Sequence, residues 1–192
     1  NSRYLPRSIK GIISIMRIIS GLLKGRIFRS PGGKRTHPMS EKARGAIFNT
    51  LGDIKDLSFL DPYAGSGAIA FEALSRGAKN VVAIDVDKKA YRSIKESAEG
   101  LGVDEKEFQV VKMNCKVWSN TNSARKFDVI VCDPPYDDIR PDVIRQLARH
   151  MKDTSTFVLS YPGSEEPLDI QGFKPVKAQK YGDIQLIFYK SN

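Results

Sequence analysis

Four consecutive residues that could do chemistry, Asp133-Pro134-Pro135-Tyr136, follow an apolar run from Phe127 to Cys132. The run predicts a buried strand, and open parallel sheets bind their ligands at the carboxyl ends of such strands. The Asp133 carboxylate and the Pro134 carbonyl can accept the two N–H bonds of a flat, conjugated amine. Pro135 stiffens the turn, because its ring fixes φ, and Tyr136 offers a face on which a base can stack. The alternative is an ordinary proline turn with a surface tyrosine, so the rest of the chain must decide.

A second apolar strand, Leu57 to Leu60, runs into a loop with glycines at 65 and 67. A helical pattern follows over residues 68–76. Glycine lets the backbone approach a ligand more closely than a side chain allows. The loop lacks the lysine of a phosphate-binding loop, and Ala70 stands where a dinucleotide fingerprint has its third glycine. By itself the loop is equally compatible with a plain strand-to-helix turn.

A third strand, Val81 to Ile84, ends in Asp85. In strand–loop–helix–strand nucleotide sites, an acid about twenty residues after the glycine loop accepts hydrogen bonds from ribose hydroxyls. Asp87 is placed to cap the helix that follows. An acid at a strand end is more often part of a turn, but the glycine loop upstream favours the ribose-binding interpretation of Asp85.

Strand-like runs recur along the chain and, at this length, predict one α/β domain. They cover residues 57–60, 81–84, 108–113, 127–132, 156–160, 174–178 and 184–189. Helical patterns between the early runs favour parallel pairing with right-handed crossovers. The last two runs are too close together for a helical crossover and predict an antiparallel hairpin. The sequence therefore predicts a Rossmann-like, mostly parallel, seven-stranded sheet with a C-terminal antiparallel hairpin.

Basic residues are concentrated at the amino-terminal end. Residues 1–45 contain eleven Lys or Arg and one acid, whereas the other 20 basic residues are balanced by 21 acids. A localised basic segment is typical of proteins that contact a phosphodiester backbone, and we prefer this to a solvated basic tail. Its glycines and prolines predict a short hairpin or arm, followed by a helix over Ser40–Leu51. The segment lacks the aromatic anchors of a membrane-surface helix.

Cysteine and histidine usage excludes several kinds of site. Cys115 and Cys132 are too few and too far apart for a zinc cluster, and a chain with so few cysteines fits a reduced, intracellular compartment. His37 and His150 are the only histidines, and neither lies in a pattern typical of a metal site or a catalytic triad. We therefore predict no metal. No apolar run is long enough to span a bilayer, so we expect a cytoplasmic protein with no membrane partner.

Taken together, the motifs resemble class I S-adenosylmethionine-dependent methyltransferases that act on exocyclic amines of bases. The stretches that carry this resemblance are Asp61-Pro-Tyr-Ala-Gly-Ser-Gly67, Asp85 and Asp133-Pro-Pro-Tyr136. The chain is more closely similar to one branch, the RsmD-like methyltransferases, which act at guanine N2 of bacterial small-subunit (16S) ribosomal RNA. The stretches that carry this closer resemblance are Arg17-Ile-Ile-Ser-Gly21, Ser40-Glu-Lys-Ala-Arg44, Phe48-Asn49, Glu72-Ala-Leu-Ser-Arg-Gly-Ala78 and Tyr181-Gly182-Asp183. The resemblance extends from Met16 to the C-terminus.

The resemblance implies a role for each matching position. The residues implied to bind the cofactor, S-adenosyl-L-methionine, are Asp61, Tyr63, Gly65, Gly67, Asp85, Val86 and Asn114. The implied catalytic residues are Asp133, Pro134, Pro135 and Tyr136. The basic residues expected to contact RNA are Lys24, Arg26, Arg29, Lys34, Arg35 and Arg44. The chain departs from the family at Asn114, where relatives usually have Asp, and at His37-Pro38-Met39, where they tend to have Arg-Pro-Thr; Asn114 keeps an acceptor oxygen for the adenine amine.

The resemblance thus implies an rRNA (guanine-N2)-methyltransferase that acts in ribosome biogenesis on small-subunit ribosomal RNA or its ribonucleoprotein assembly. We expect a monomer with an extension outside the family match (1–15), a basic N-terminal arm and helix (16–52), and a methyltransferase domain (53–192). Three alternatives stay open. They are a DNA adenine-N6 methyltransferase, a protein-amide methyltransferase, and a catalytically silent RNA-binding module of the same fold.

Overall fold

The computed structural model describes residues 15–31 and 39–192. Within these ranges the strands are β1 (Ile15–Arg17), β2 (Ile27–Arg29), β3 (Ser58–Asp61), β4 (Lys79–Asp85), β5 (Phe108–Lys112), β6 (Phe127–Cys132), β7 (Met151–Pro162), β8 (Phe173–Tyr181) and β9 (Ile184–Ser191). The helices are α1 (Glu41–Leu51), α2 (Ala68–Ser75), α3 (Lys88–Leu101), α4 (Cys115–Thr121) and α5 (Pro141–Ala148). Strands and helices alternate from β3 to β7, as the sequence predicts for parallel pairing.

Strands β3 to β9 form one seven-stranded sheet in the order β5-β4-β3-β6-β7-β9-β8. The strands from β5 to β7 pair in parallel, whereas β9 pairs antiparallel with both β7 and β8. The chain builds the sheet outward from β3 in one direction and then returns to add β6 on its other side. Ligands of open α/β sheets bind outside the carboxyl ends at such a reversal. The predicted fold class is confirmed.

Helices cover both faces of the sheet because neighbouring residues of a strand point to opposite sides. Phe59 of β3 packs with α1, α2 and α3, on what we call the α1 face. The adjacent Leu60 packs with α4 and α5, on what we call the α4 face. Both side chains are fully buried. The central strands are therefore covered on both faces, as expected for a parallel sheet.

The β1–β2 hairpin is packed against α2 and α3. Phe28 lies 4.8 Å from the ring of Phe71 on α2. Ser75, at the end of α2, accepts a hydrogen bond from the Leu23 amide at 2.9 Å. Gly21 approaches the same residue so closely, at φ +86°, that an added Cβ would lie 1.8 Å from the Ser75 carbonyl oxygen. Glycine is therefore required at position 21 both by its φ and by this contact.

A buried carboxylate, Glu72 on α2, also anchors the hairpin. It accepts backbone N–H bonds from Ile19 at 2.7 Å and from Ser20 at 3.1 Å. It also pairs with the guanidinium groups of Arg76 at 2.8 Å and Arg44 at 3.7 Å. Removal of one partner from a buried ion pair is strongly destabilising, because it leaves an uncompensated charge. The N-terminal hairpin is thus fixed to the sheet-forming part of the chain.

Strands β7 and β8 extend furthest beyond their predicted bounds. β7 begins at Met151, which pairs with Phe127 of β6. β8 continues to Tyr181, which pairs with Ile184 and leaves a turn of only Gly182 and Asp183. In both cases the added residues form a strand because they pair with a neighbouring strand, β6 for β7 and β9 for β8. The residues of β8 are almost all exposed, so no hydrophobic pattern marks where this strand begins and ends.

Residues 15–31 and 39–192 contain neither a helix long and apolar enough to cross a membrane nor a group of His, Cys, Asp and Glu placed to hold a metal. Cys115 and Cys132 are buried, free thiols. His150 is a core residue: its ring nitrogens lie 2.7 Å from the Ser119 hydroxyl and 2.7 Å from the Arg125 carbonyl. Burial lowers the pKa of His150. His37 lies outside the described residues.

Candidate active site

The carboxyl ends of four parallel strands meet at one edge of the sheet, and each leads into a polar residue. Asp61 ends β3, Asp85 ends β4, Asn114 follows β5 and Asp133 follows β6. Because the strands are parallel, these four residues lie along the same edge. The structure thus brings together the glycine loop and the Asp133 turn, which are distant in the sequence.

Asp85 holds the glycine loop in place. One oxygen of its carboxylate accepts the Gly65 amide at 2.7 Å, and the other accepts the Asp87 amide at 2.8 Å. Burial raises the pKa of Asp85, and these N–H bonds oppose the rise because they favour the charged form. Each carboxylate oxygen can accept a second hydrogen bond, so Asp85 can still bind the hydroxyls of a ribose. Asp87 caps α3 as predicted, accepting from the Lys89 and Ala90 amides.

The two loop glycines have different structural roles. Gly67 has φ +80°, and a Cβ there would lie 3.0 Å from Phe71 and 3.1 Å from Ile94. Gly65 has φ +53°, but its Cβ would meet only the Tyr63 carbonyl oxygen, 4.0 Å away. Gly67 is therefore constrained by packing against α2 and α3. Gly65 presents backbone to the open side of the loop, where a ligand can approach.

Asp61 lies at the centre of the site and is fully buried. Neither of its carboxylate oxygens has a hydrogen-bond partner among the described residues. Burial raises the pKa of Asp61 well above its ordinary value, and repulsion from Asp133 and Asp85 adds to the rise. The backbone amides of Tyr63 and Ala70 oppose it only in part, since neither is within hydrogen-bonding geometry of the carboxylate. A buried, unpartnered acid is unfavourable in isolation. The site is therefore suited to a ligand that carries positive charge.

The Asp133 turn contains a hydrogen-bond network. The Tyr136 hydroxyl donates to the Asp133 carboxylate at 3.2 Å and lies 2.5 Å from the hydroxyl of Ser160, near the end of β7. Burial raises the pKa of Asp133, against the opposing effect of the hydrogen bonds from Ser160 and Tyr136. Although the tyrosine hydroxyl is held in this network, 45% of the residue surface is exposed. Its ring is thus fixed in place and still open to a stacking partner.

The other residues predicted to bind the cofactor lie near the same edge. Val86 follows Asp85 and is 67% exposed. Asn114 caps α4 by accepting the Lys116 amide at 2.9 Å, which leaves its oxygen one further hydrogen bond. Tyr63 packs partly buried against the α4 face. Contact of these side chains with a cofactor stays a prediction.

The predicted RNA-binding residues fall into three groups. Lys24, Arg26 and Arg29 are exposed on the hairpin, whereas Lys34 and Arg35 lie outside the described residues. The prediction that Arg44 contacts RNA is wrong in this structure, because its side chain is completely buried. It lies beside Glu72 and donates to the Arg17 carbonyl at 2.5 Å. Burial also lowers the pKa of Arg44. This cation joins α1 to the hairpin.

Two residues that matter here lack any motif that would predict their contacts. Ser160 is a polar residue near the end of the apolar strand β7. It contacts Tyr136 only because β7 lies beside β6. Glu72 interrupts the apolar pattern of α2. A charged residue inside such a pattern indicates a buried group that needs partners, and this was the signal that the sequence offered. Its partners are Ile19 and Ser20 of the hairpin, Arg44 of α1 and Arg76 just after α2. Only the pairing with Arg76, four residues further along, can be inferred from the sequence.

These groups fit a nucleoside cofactor with a positive charge: Asp85 for its ribose, the open backbone of Gly65 for close approach, and the unpartnered Asp61 for the cation. The fold is that of class I methyltransferases, and the family to which the chain belongs makes it an S-adenosylmethionine-dependent methyltransferase. The chain belongs to the family described as Conserved hypothetical protein 95, the RsmD-like methyltransferases, whose family model matches residues 16–190.

Relatives and solved structures agree with this assignment. YlbH of Bacillus subtilis is 36% identical over 126 residues, which is 64% of this chain and 68% of that protein. Ribosomal RNA small subunit methyltransferase D of Haemophilus influenzae is 31% identical over 123 residues, which is 63% of this chain and 64% of that protein. The structure of yhhF from Escherichia coli has the same fold, with a TM-score of 0.81 at 22% identity, over 93% of this chain and 99% of that one.

Proposed function

We propose that this protein transfers a methyl group from S-adenosyl-L-methionine to the exocyclic N2 amine of a guanine in small-subunit (16S) ribosomal RNA. The observation that carries the proposal is the Asp133 carboxylate, bonded to Tyr136 at the same sheet edge as Asp85. The names of two relatives support the choice of RNA: those from Haemophilus influenzae and Escherichia coli are both ribosomal RNA small subunit methyltransferase D.

The residues predicted to bind the cofactor form groups, each suited to a different part of S-adenosyl-L-methionine. When bound, S-adenosyl-L-methionine supplies an electrophilic methyl group on a positively charged sulfonium. Asp85 would accept hydrogen bonds from the ribose hydroxyls, while Val86 and Asn114 would contact the adenine. Asp61, which is buried without a partner, offsets the positive charge of the methionine portion, and Gly65 lets the backbone come close to it.

The Asp133 turn makes a poor nucleophile reactive. The lone pair of guanine N2 is delocalised into the ring, so the planar amine attacks weakly. Asp133 and the Pro134 carbonyl accept its two N–H bonds and thereby favour a pyramidal nitrogen with its lone pair exposed. Pro135 keeps the Pro134 carbonyl in place because its ring restricts the turn. Holding the amine in line with the methyl donor supplies most of the rate acceleration.

Two further steps use the same turn. The amine loses a proton after methyl transfer, and the Asp133 carboxylate accepts it. Because burial raises the pKa of Asp133, this carboxylate is a stronger base than a solvent-exposed aspartate. The target guanine must also leave its helix or loop, and stacking on the exposed Tyr136 ring offsets part of the energy of unstacking.

The basic hairpin supplies contacts to the RNA backbone. Lys24, Arg26 and Arg29 are exposed on it, and we keep Lys34 and Arg35 in the set as predictions. Binding through such contacts weakens with salt. The division into a basic arm (16–52) and a methyltransferase domain (53–192), the monomeric state, the cytoplasmic location and the choice between free RNA and an assembled particle all stay predictions.

Replacement of Asp133 by Asn tests the proposal. The variant keeps the shape of the side chain but removes the charge and the base. We expect methyl transfer to ribosomal RNA to fall by about 10³-fold, with cofactor affinity within a few-fold of wild type. Asp137→Asn, an exposed acid in the same turn, is the matched control and should be nearly wild type. Near-normal turnover of Asp133→Asn would remove the assignment.

The target base is tested separately. Mass mapping of ribosomal RNA from a strain that lacks the protein should reveal one guanine without its N2 methyl group, and the purified protein should restore it. Methylation of adenine N6 in duplex DNA by the purified protein would instead favour the DNA alternative. Cofactor binding without transfer to any nucleic acid would favour the catalytically silent module.

A further inference from the structure

Strand β8 extends the sheet beyond its covering helices. It pairs only with β9, and its residues 174–180 are all exposed. These seven residues include three lysines and no acid. Although β8 lies far along the chain from the basic N-terminal segment, it too is locally basic.

The strand register places three lysines on one face. Lys174 lies opposite Lys190, and Lys177 lies opposite Phe188. Because directly opposed residues share a face, and Phe188 belongs to the α1 face, Lys174, Lys177 and Lys190 all project on the α1 face. We call these three residues the β8–β9 lysines. Lys180 projects on the α4 face.

Among the described residues, no carboxylate compensates the positive charge of these lysines, although the Lys177 ammonium lies 5.9 Å from the centre of the Phe188 ring. None of the β8–β9 lysines has a carboxylate within ion-pair distance in the described part of the chain. Lys177 donates to the Thr50 hydroxyl on α1 at 3.0 Å. Lys174 and Lys190 are like charges placed directly opposite each other, which is unfavourable without an anion between them. By contrast, Lys152 pairs with Asp128 at 2.7 Å.

The β8–β9 lysines are continuous with the candidate active site. β8 ends at Tyr181, which pairs with Ile184, and Ile184 pairs in turn with Pro162 at the end of β7. Since β7 is parallel to β6, Tyr181 lies at the same sheet edge as Asp133. A bound polyanion that starts at this edge and extends along β8 passes Lys177 first. It then passes Lys174, about 10 Å further along the strand.

The basic hairpin lies on the same side of the sheet. Helix α1 contacts the hairpin through Arg44, which donates to the Arg17 carbonyl, and contacts β8 through Thr50. Two exposed basic regions therefore flank α1, one on each side. The hairpin turn lies toward the opposite edge of the sheet, because Leu23 bonds Ser75 at the C-terminal end of α2 and Arg26 bonds Gly100 near the C-terminal end of α3. A polyanion therefore contacts both regions only if it runs from the active-site edge along the α1 face.

We infer that Lys174, Lys177 and Lys190 form a second phosphate-binding surface for the RNA substrate. The inference rests on the proposed function, since it takes RNA as the polyanion. The contacts are to the sugar–phosphate backbone outside the target nucleotide, and they fix the orientation of the RNA without reading its sequence. The competing explanation is that lysines on an edge strand only prevent pairing with another sheet edge.

A charge-removal variant measures the contribution of these lysines. In the full chain, Lys174→Gln, Lys177→Gln and Lys190→Gln are combined, and affinity for small-subunit ribosomal RNA is measured at several salt concentrations. We expect about tenfold weaker binding near physiological salt and a salt slope smaller by about two, with unchanged cofactor affinity. The matched control removes three exposed lysines that are not on this surface, Lys106→Gln, Lys126→Gln and Lys180→Gln. It should bind RNA within about twofold of wild type.

A charge-reversal variant separates RNA contact from edge protection. Lys174→Glu, Lys177→Glu and Lys190→Glu keep the edge charged, so protection against pairing persists, but they repel phosphate. Weaker RNA binding by the reversal variant than by wild type supports the inference, even if the glutamine variant aggregates. A monomeric reversal variant with wild-type RNA affinity overturns it. If wild type methylates the RNA while both variants bind normally, the inference alone fails. If wild type neither binds nor methylates it, the proposed function fails as well.

Discussion

Tyr136 donates a hydrogen bond of 3.2 Å from its hydroxyl group to the carboxylate of Asp133. The same hydroxyl lies 2.5 Å from Ser160, so the network joins the ends of β6 and β7. The proposed hydrogen-bond acceptor for the amine and the proposed stacking surface for the base are thereby held in a fixed relation. Each can be perturbed without removing the other.

Replacement of Tyr136 by Phe keeps the ring and removes the hydrogen bond to Asp133. That bond lowers the pKa of Asp133, against the effect of burial, so its loss should raise the pKa further. Since the proposed reaction uses the carboxylate form of Asp133, methyl transfer should begin to fail at a higher pH than in wild type as the solution is acidified. Single-turnover rates measured against pH test this. If the acidic side of the pH–rate profile (the acid limb) is unchanged, the hydroxyl does not lower the pKa of Asp133.

Ser160→Ala should shift the acid limb in the same direction, because the Ser160 hydroxyl also lowers the pKa of Asp133. Ser160 and Tyr136 belong to one network, so the shift in the double variant should be smaller than the sum of the single shifts. A change in RNA affinity without any change in the pH profile would mean that Ser160 acts only through the position of the ring.

Asp61→Asn should stabilise the protein and weaken cofactor binding. The folded pKa of Asp61 is raised above its unfolded value of 3.8. The stability it contributes is therefore fully present below pH 3.8 and declines as pH rises toward the folded pKa. The variant should melt higher than wild type at neutral pH, by about 2–4 °C per kcal/mol gained, and the difference should shrink in acid. Wild-type cofactor affinity in the variant would argue against the proposed charge pairing.

The two loop glycines allow a matched comparison. Gly67→Ala should lower stability by about 1–3 kcal/mol, because its Cβ would crowd Phe71 and Ile94. Gly65→Ala introduces no such contact, so its loss of stability should be smaller. Its methyl group points to the open side of the loop, and we expect cofactor affinity to fall by about tenfold, or about 1.4 kcal/mol. Calorimetry and thermal melting would distinguish the two effects; the reverse ranking would contradict this account.

The hairpin contact is tested by Gly21→Ala against Gly25→Ala. Both glycines have positive φ, at +86° and +81°, but a Cβ meets nothing within 4 Å at Gly25. Gly25→Ala should therefore show only the backbone cost of about 1–2 kcal/mol. Gly21→Ala should also displace the hairpin from Ser75. Amide exchange of Leu22, which donates to the Ser75 carbonyl at 2.7 Å, should accelerate strongly in Gly21→Ala alone.

The sequence predicts features that depend on local chemistry. The Asp87 cap, the glycine loop and the two-stranded C-terminal hairpin follow from residues close together in the chain, and the structure has all three. The predicted pairing of early strands in parallel also holds, because the crossover lengths leave few alternatives.

The sequence does not predict contacts between distant elements. Arg44 looks like part of a basic surface, yet it is buried because α1 packs beside Glu72 on α2. The contact of Ser160 with Tyr136 depends on the order of strands in the sheet. Lys174 and Lys177 both share a face with Lys190 only because the register shifts between Pro175 and Lys177.

The two hydrogen bonds that backbone amides donate to the Asp85 carboxylate have a kinetic consequence. Gly65 and Asp87 occupy one oxygen each, so the proposed nucleoside-binding corner is assembled by the fold itself. Loading of the methyl donor then requires no reorganisation of the first two parallel strands. Donor exchange should therefore be fast, and the pace of repeated turnover should be set by arrival and departure of the much larger RNA.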